Sequence, residues 1–110
     1  MNMVQSITTC FTKYVDFKGR ASPSEYWWFF LFCFIVETIA YSINLNLYYI
    51  VLLALFLPAL AVMIRRLHDS NRIGWWALLL LIPIIGWIIL LIFMLFESTP
   101  GPNNYGLPPA

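Results

Sequence analysis

Charge is what this chain has least of. Only 10% of its 110 residues are Asp, Glu, Lys or Arg, against about a quarter in an ordinary globular domain. The net charge is +1, too weak a field for nucleic-acid binding. Histidine occurs once and cysteine twice. A lone His beside one carboxylate falls short of the ligand set of a zinc site. Two cysteines give no disulfide framework, so Cys10 and Cys33, the latter inside an apolar run, are expected as free thiols. No basic start followed by a short apolar core and a small-residue cleavage site is present, so no removable signal peptide is expected.

What the chain does have is apolar surface. Hydrophobic residues make up 62% and aromatics 18%, with a mean hydropathy of +0.82. A single domain of this length has too little interior to hide that much, so lipid must solvate it. A soluble enzyme and a disordered chain are both excluded. Three apolar stretches, 23–43, 47–64 and 75–96, each hold about 18–22 residues, enough for a helix to cross roughly 30 Å of hydrocarbon. A lipid-exposed backbone must satisfy its own polar groups. The expected fold is therefore all-α and multi-pass, one membrane domain over 1–110 with three transmembrane helices. Residues 1–22 form an interfacial helix and linker, 65–74 a cytoplasmic loop and 97–110 a tail.

Ser22, Pro23 and Glu25 read as a capping box with Pro at the first helical position. Asn44 and Asn46 mark the turn into the second stretch, Pro58 predicts a kink within it, and Asp69, Ser70 and Asn71 offer caps before the third. Lys13, Lys18 and Arg20 precede the first span, and Arg65, Arg66 and Arg72 lie between the second and third. The segment around Asn44–Asn46 and the tail carry no Lys or Arg. The positive-inside rule then makes that basic side, with the N-terminus, cytoplasmic. Trp27, Trp28, Trp75 and Trp76 stand at the same ends, as an interfacial belt would place them.

Val4, Ile7, Phe11, Tyr14 and Val15 recur at helical spacing, so 2–16 is read as an amphipathic helix on the inner leaflet; packing on protein would serve the same pattern. Gly19 then breaks it from the first span. Pro83 and Gly86 divide the third stretch. Its length favours one straight span; the alternative is a helical hairpin broken at 83–86 that returns the tail to the cytoplasm, which requires burial in protein.

Three polar clusters interrupt the apolar background: Phe17-Lys18-Gly19-Arg20-Ala21-Ser22 with Glu25-Tyr26-Trp27; Arg65-Arg66-Leu67-His68-Asp69 with Arg72 and Gly74-Trp75-Trp76; and Gly101-Pro102-Asn103-Asn104-Tyr105-Gly106. In order and spacing these resemble the domain-of-unknown-function 805 family of small bacterial inner-membrane proteins, over nearly the whole chain. The resemblance implies a location in the bacterial inner (plasma) membrane and an architecture, but no chemistry. The chain departs from the family pattern at Pro23 and Asn104, where Arg is usual, and at Ile73, where Ser is usual. Losing two basic residues weakens any reading of the motif as an anion cradle.

Arg20, Arg65, Arg66, His68, Asp69 and Arg72 are the candidate lipid- or partner-binding residues, because Arg forks suit phosphate and carboxylate. As plain topology determinants and loop caps they need no ligand. Glu37, deep in the first span, and Asn44 are the candidate intramembrane ion or proton site, since a carboxylate there is expensive. A protonated or snorkelling Glu37 near the outer boundary would serve as well. Asn103, Tyr105 and Gly106 form the tail motif. The expected function is non-enzymatic: binding of anionic lipid headgroups or of a membrane partner, with self-association, no catalytic residue, no cofactor and no metal. An oligomeric ion or proton channel or small transporter is the alternative.

Overall fold

The computed structural model describes residues 2–108 and is all-helical among them. Its elements are α1 (Met3–Thr12), α2 (Pro23–Ile43), α3 (Leu45–Asp69), a 3-10 helix (Gly74–Leu81) and α4 (Ile85–Leu95). The two long helices are long and apolar enough to cross a membrane, and only 17% and 22% of their most apolar windows are buried within the protein. They are not the core helices of a soluble domain, because most of their surface is left for another apolar medium.

α2 begins where the sequence predicts. Ser22 accepts from the Glu25 backbone N–H at 3.2 Å and Pro23 opens the helix. The other half of the expected capping box does not close here, because the Glu25 carboxylate is taken by Arg65. A complete box stands instead at α1, where Asn2 and Gln5 exchange side-chain bonds with each other's backbone. A single residue, Asn44, joins α2 to α3. Its side chain accepts from the N–H groups of Asn46 and Leu47, and the Tyr41 and Tyr48 rings meet edge-on across the turn, 5.3 Å apart.

α2 and α3 therefore run antiparallel. Tyr26, Phe29, Cys33 and Ala40 form the buried stripe of the first, and Leu55, Pro58, Val62 and Arg65 lie on that of the second, both at helical spacing. Pro58 leaves the Ala54 carbonyl without its helical donor, and the Tyr14 hydroxyl donates to that carbonyl.

α3 does not stop at residue 64. It runs on through Arg65 to Asp69, so half of the expected loop is helix, held because these polar side chains find partners inside the protein. Its end is a Schellman motif. Asn71, in the left-handed region at φ 61°, donates its N–H to the His68 carbonyl and Arg72 donates to Leu67, both at 2.9 Å. Asp69, Ser70 and Asn71 thus terminate α3 rather than cap the 3-10 helix.

α1 is shorter than the amphipathic pattern, and the expected apolar stripe is not the face it buries. Ser6 and Cys10 pack inward, Phe11 lies edge-on against Phe29 and Phe32, and Val4 stays 72% exposed. Small residues let the helix approach α2 closely, which apolar bulk would prevent.

The third stretch is not one straight helix. It folds back on itself through a turn in which the Ile85 N–H donates to the Pro83 carbonyl at 2.8 Å. The residue between, Ile84, sits at φ 67°, ψ −68°, a strained γ-turn geometry. The Trp87 indole bridges the arms, donating to the Leu80 carbonyl at 3.0 Å. Gly86 makes the approach feasible: a Cβ there would lie 1.9 Å from the Leu79 carbonyl oxygen. Beyond it, Gly86, Leu90 and Met94 form the buried stripe of α4.

Candidate functional site: a buried ionic cluster

The hairpin returns the tail to the end of the molecule where α2 begins and α3 ends, and there the three polar clusters of the sequence meet. Asp69 is the hub. Its carboxylate accepts from Arg20 Nε at 2.9 Å and Arg66 Nη1 at 3.0 Å, and from the Ser98 hydroxyl. Arg66 also donates to the Phe96 carbonyl, and Arg65 pairs with Glu25. Arg65, Arg66 and Asp69 are all 0% exposed. These arginines do not form an open face; they hold segments together.

Arg20 reaches furthest. Beyond Asp69 it donates to the carbonyls of Thr99 at 2.7 Å, Gly101 at 2.8 Å and Gly106 at 3.3 Å. A guanidinium fork can bind a carboxylate and several carbonyls at once, and here it ties the first polar cluster to the tail. The last carbonyls of α3, which have no helical donors, are met from the same directions. Thr99 N–H donates to Asp69 at 2.8 Å, and the Asn103 side-chain amide donates to His68 at 2.9 Å.

Asn103, Tyr105 and Gly106 of the tail motif all take part. Asn103 and Gly106 exchange backbone bonds around a tight turn, with Gly106 at φ 119°. That turn lays the Tyr105 ring flat on His68, with centroids 4.0 Å apart and planes 2° from parallel. His68 Nδ1 bonds the Gly19 carbonyl at 2.9 Å. Since a carbonyl only accepts, Nδ1 carries the proton. Arg72 stands at the edge of the cluster, stacked over Phe93 and Phe96 at 4.6 and 4.5 Å.

The other candidate pair is not brought together. Asn44 is occupied in capping α3, while Glu37 makes no hydrogen bond or ion pair among the described residues and lines a groove between α2 and α3. Among those residues no group of three His, Cys, Asp or Glu side chains could hold a metal.

Sequence reasoning missed several members. Ser98, Thr99 and the Phe96 carbonyl carry no motif, and the sequence marks Glu25 as a cap within the first cluster but not as the partner of Arg65. Cys10 gives no sequence signal beyond a free thiol. It is buried beside Glu25, donating to its carboxylate over 3.7 Å. Burial, reinforced by the Glu25 charge, pushes the thiol up to about 12, because the thiolate is disfavoured in both ways. At pH 8, Cys10 in the folded protein is therefore expected to react with a maleimide about a thousandfold more slowly than in the denatured chain. Timed labelling followed by mass spectrometry would measure this, and equal rates would contradict the packing described.

The cluster contains three buried guanidinium groups, of Arg20, Arg65 and Arg66, against the two carboxylates of Glu25 and Asp69. Arg65 Nε and Nη2 and Arg66 Nε have no hydrogen-bond partner among the described residues. The site is thus built as a structural lock with surplus positive charge.

Comparison with known proteins shows the family to which these motifs belong. A family model described as "Protein of unknown function (DUF805)" matches residues 14–107, a range that takes in all three clusters. The chain is 50% identical over 103 residues to "Inner membrane protein YhaI" of Escherichia coli (strain K12), covering 87% of each chain. It is 42% identical over 109 residues to "Inner membrane protein YhaH" of the same strain, covering 87% of this chain and 88% of that one. No solved structure matches. The chain, whose three motifs close on one buried ionic cluster, belongs to the DUF805 family.

Proposed function

We propose that the protein is a non-enzymatic, multi-pass component of the bacterial inner membrane, and that its cytoplasmic base binds anionic lipid headgroups. In this reading α2 and α3 cross the bilayer and the 3-10 helix and α4 form a re-entrant hairpin, so both termini lie in the cytoplasm. The exposed Val4 and Val15 of the N-terminal segment rest on the inner leaflet. A re-entrant backbone at membrane depth needs cover by protein: Gly86, Leu90 and Met94 bury one face of the returning arm, and the exposed bend at 81–85 is surface for a further copy to cover.

One observation carries the reading. Arg20, Arg65 and Arg66, with Glu25 and Asp69, gather at a single end of the molecule, and Lys18 and Arg72 adjoin them in sequence. The inner leaflet attracts such an end, at about 1 kcal/mol per basic residue near its surface. The buried arginines contribute their surplus charge, while Lys13, Lys18 and Arg72, which are less enclosed, make the contacts. The same geometry supports a non-catalytic role, because the lone histidine is stacked under Tyr105 and bonded to Gly19. Association with further copies would cover part of the exposed apolar surface.

The test is lipid selectivity of the purified protein in mild detergent. Native mass spectrometry should show phosphatidylglycerol bound in preference to phosphatidylcholine. Lys13→Gln, Lys18→Gln and Arg72→Gln combined should reduce that preference roughly tenfold or more. A parent protein with no preference would overturn the proposal.

A further inference from the structure

About two thirds of the way along α2 from the ionic cluster lies a side chain that the cluster does not explain. Glu37 is the fifteenth residue of α2, about 21 Å along the helix from Pro23 at 1.5 Å per residue. It falls in the register of the buried stripe, between Cys33 and Ala40. It lines a groove of about 370 Å³ bounded by α2, α3 and Leu80 of the 3-10 helix, whose walls include Phe30, Phe34, Phe56 and Leu60. No other charged side chain lines it. Phe34 is 61% exposed and Phe56 56%, so the groove opens sideways, which in the topology proposed above is towards the lipid.

We propose that this groove binds an amphiphilic amine, with its ammonium on the Glu37 carboxylate and its hydrocarbon part along the apolar walls. A carboxylate at membrane depth must take a proton or a counter-cation. No Lys or Arg lies near it in the sequence of α2 or in the facing part of α3, and Glu37 has no internal partner among the described residues. A divalent metal would need about six oxygen ligands, which one carboxylate and aromatic walls do not supply. A proton alone would satisfy Glu37 but leaves the groove unexplained. An organic ammonium uses both: its charge pairs with the carboxylate, its body fills a volume in the range of small-molecule sites, and the aromatic faces favour a cation beside them. Lateral opening gives entry from the leaflet, where such amphiphiles partition.

The experiment uses the full chain in phosphatidylcholine nanodiscs and two probes, a dansylated pentylamine and its neutral N-acetyl derivative, followed by dansyl fluorescence. The amine should bind saturably and more tightly than the neutral probe. Glu37→Gln should weaken the amine roughly tenfold or more while leaving the neutral probe unchanged. Ala59→Phe, which places bulk in the groove, should weaken both. Equal affinity of the two probes for the parent protein, no saturable binding, or an unchanged amine affinity in Glu37→Gln would each overturn the proposal. If Glu37→Gln does not fold, the comparison of the two probes on the parent decides alone.

Discussion

Replacing Asp69 by asparagine is expected to cost about 3–5 kcal/mol, the range for breaking a buried ion pair by removing one partner. The reason lies in what the carboxylate holds. Arg20 and Arg66 both bond it, and all three side chains are at most 1% exposed. An asparagine offers one carbonyl oxygen to two guanidinium groups and turns its own amide protons towards one of them. The Ser98 hydroxyl loses its acceptor as well. Two buried cations without an anion must then either draw water into the cluster or release the tail. Denaturation in mixed micelles should show the loss of stability. Limited proteolysis should show earlier cleavage within 97–107 than in the parent. Asp69→Asn combined with Arg66→Met removes the stranded charge and should recover part of the loss, so the two changes are less than additive. Asp16→Asn, at an exposed carboxylate, should stay within about 0.5 kcal/mol of the parent. An Asp69→Asn protein as stable as the parent would mean that the ion pairs do not hold this end together.

The second large effect is expected at Gly86, and it is a change of topology as much as of stability. An alanine Cβ would meet the Leu79 carbonyl oxygen at 1.9 Å and its carbon at 2.9 Å. Both belong to backbone, so no side-chain rotation relieves the clash. The arms must separate, giving up the Trp87 to Leu80 bond and the burial of Leu90 and Met94, at a cost on the order of 3 kcal/mol or more. The chain has an alternative, because residues 75–96 are long enough to cross the bilayer straight. Leu107 is 77% exposed, which makes it a reporter position. With Cys10 and Cys33 replaced by serine, Leu107→Cys should react with an impermeant maleimide only after permeabilisation. Adding Gly86→Ala should make part of the population reactive in intact cells. Gly74→Ala is the control: the atoms nearest its Cβ belong to the Ile64 and His68 side chains, the first at 2.8 Å, and it should leave the labelling sidedness unchanged. Labelling from outside in the parent would show that the third stretch crosses the membrane.

Much of the architecture was legible in the sequence because it depends on local chemistry. Ser22 and Pro23 start α2 where the sequence places the start, and the apolar lengths identify the two long helices. The three polar clusters were visible as words, but their meeting was not. It depends on the hairpin at Pro83–Gly86, and both residues are compatible with a straight, kinked span. The charge rule could not arbitrate, since the tail has no Lys or Arg. The continuation of α3 to Asp69 was hidden for a related reason. Arg65, Arg66, His68 and Asp69, crowded around a single leucine, look like a loop until their partners, supplied by residues 19, 20, 25, 96, 98 and 103, are in place. The face of α1 that packs on the protein was not legible in its apolar stripe, because contact distance between helices is set by small residues such as Ser6 and Cys10, which carry little hydrophobic signal.

The reach of Arg20 has a consequence in time. Its carboxylate partner lies 49 residues downstream, and its tail carbonyl partners lie 79 to 86 residues downstream. During synthesis α2 and α3 can enter the membrane and pair long before those carbonyls exist. Until residues 99–106 emerge, Arg20 remains incompletely paired, and in the proposed topology its guanidinium keeps contact with water or headgroups at the cytoplasmic surface. The cluster therefore closes last, from the tail inward. An arginine that cannot leave the surface holds the N-terminal side of α2 in place while the rest of the chain is still being made.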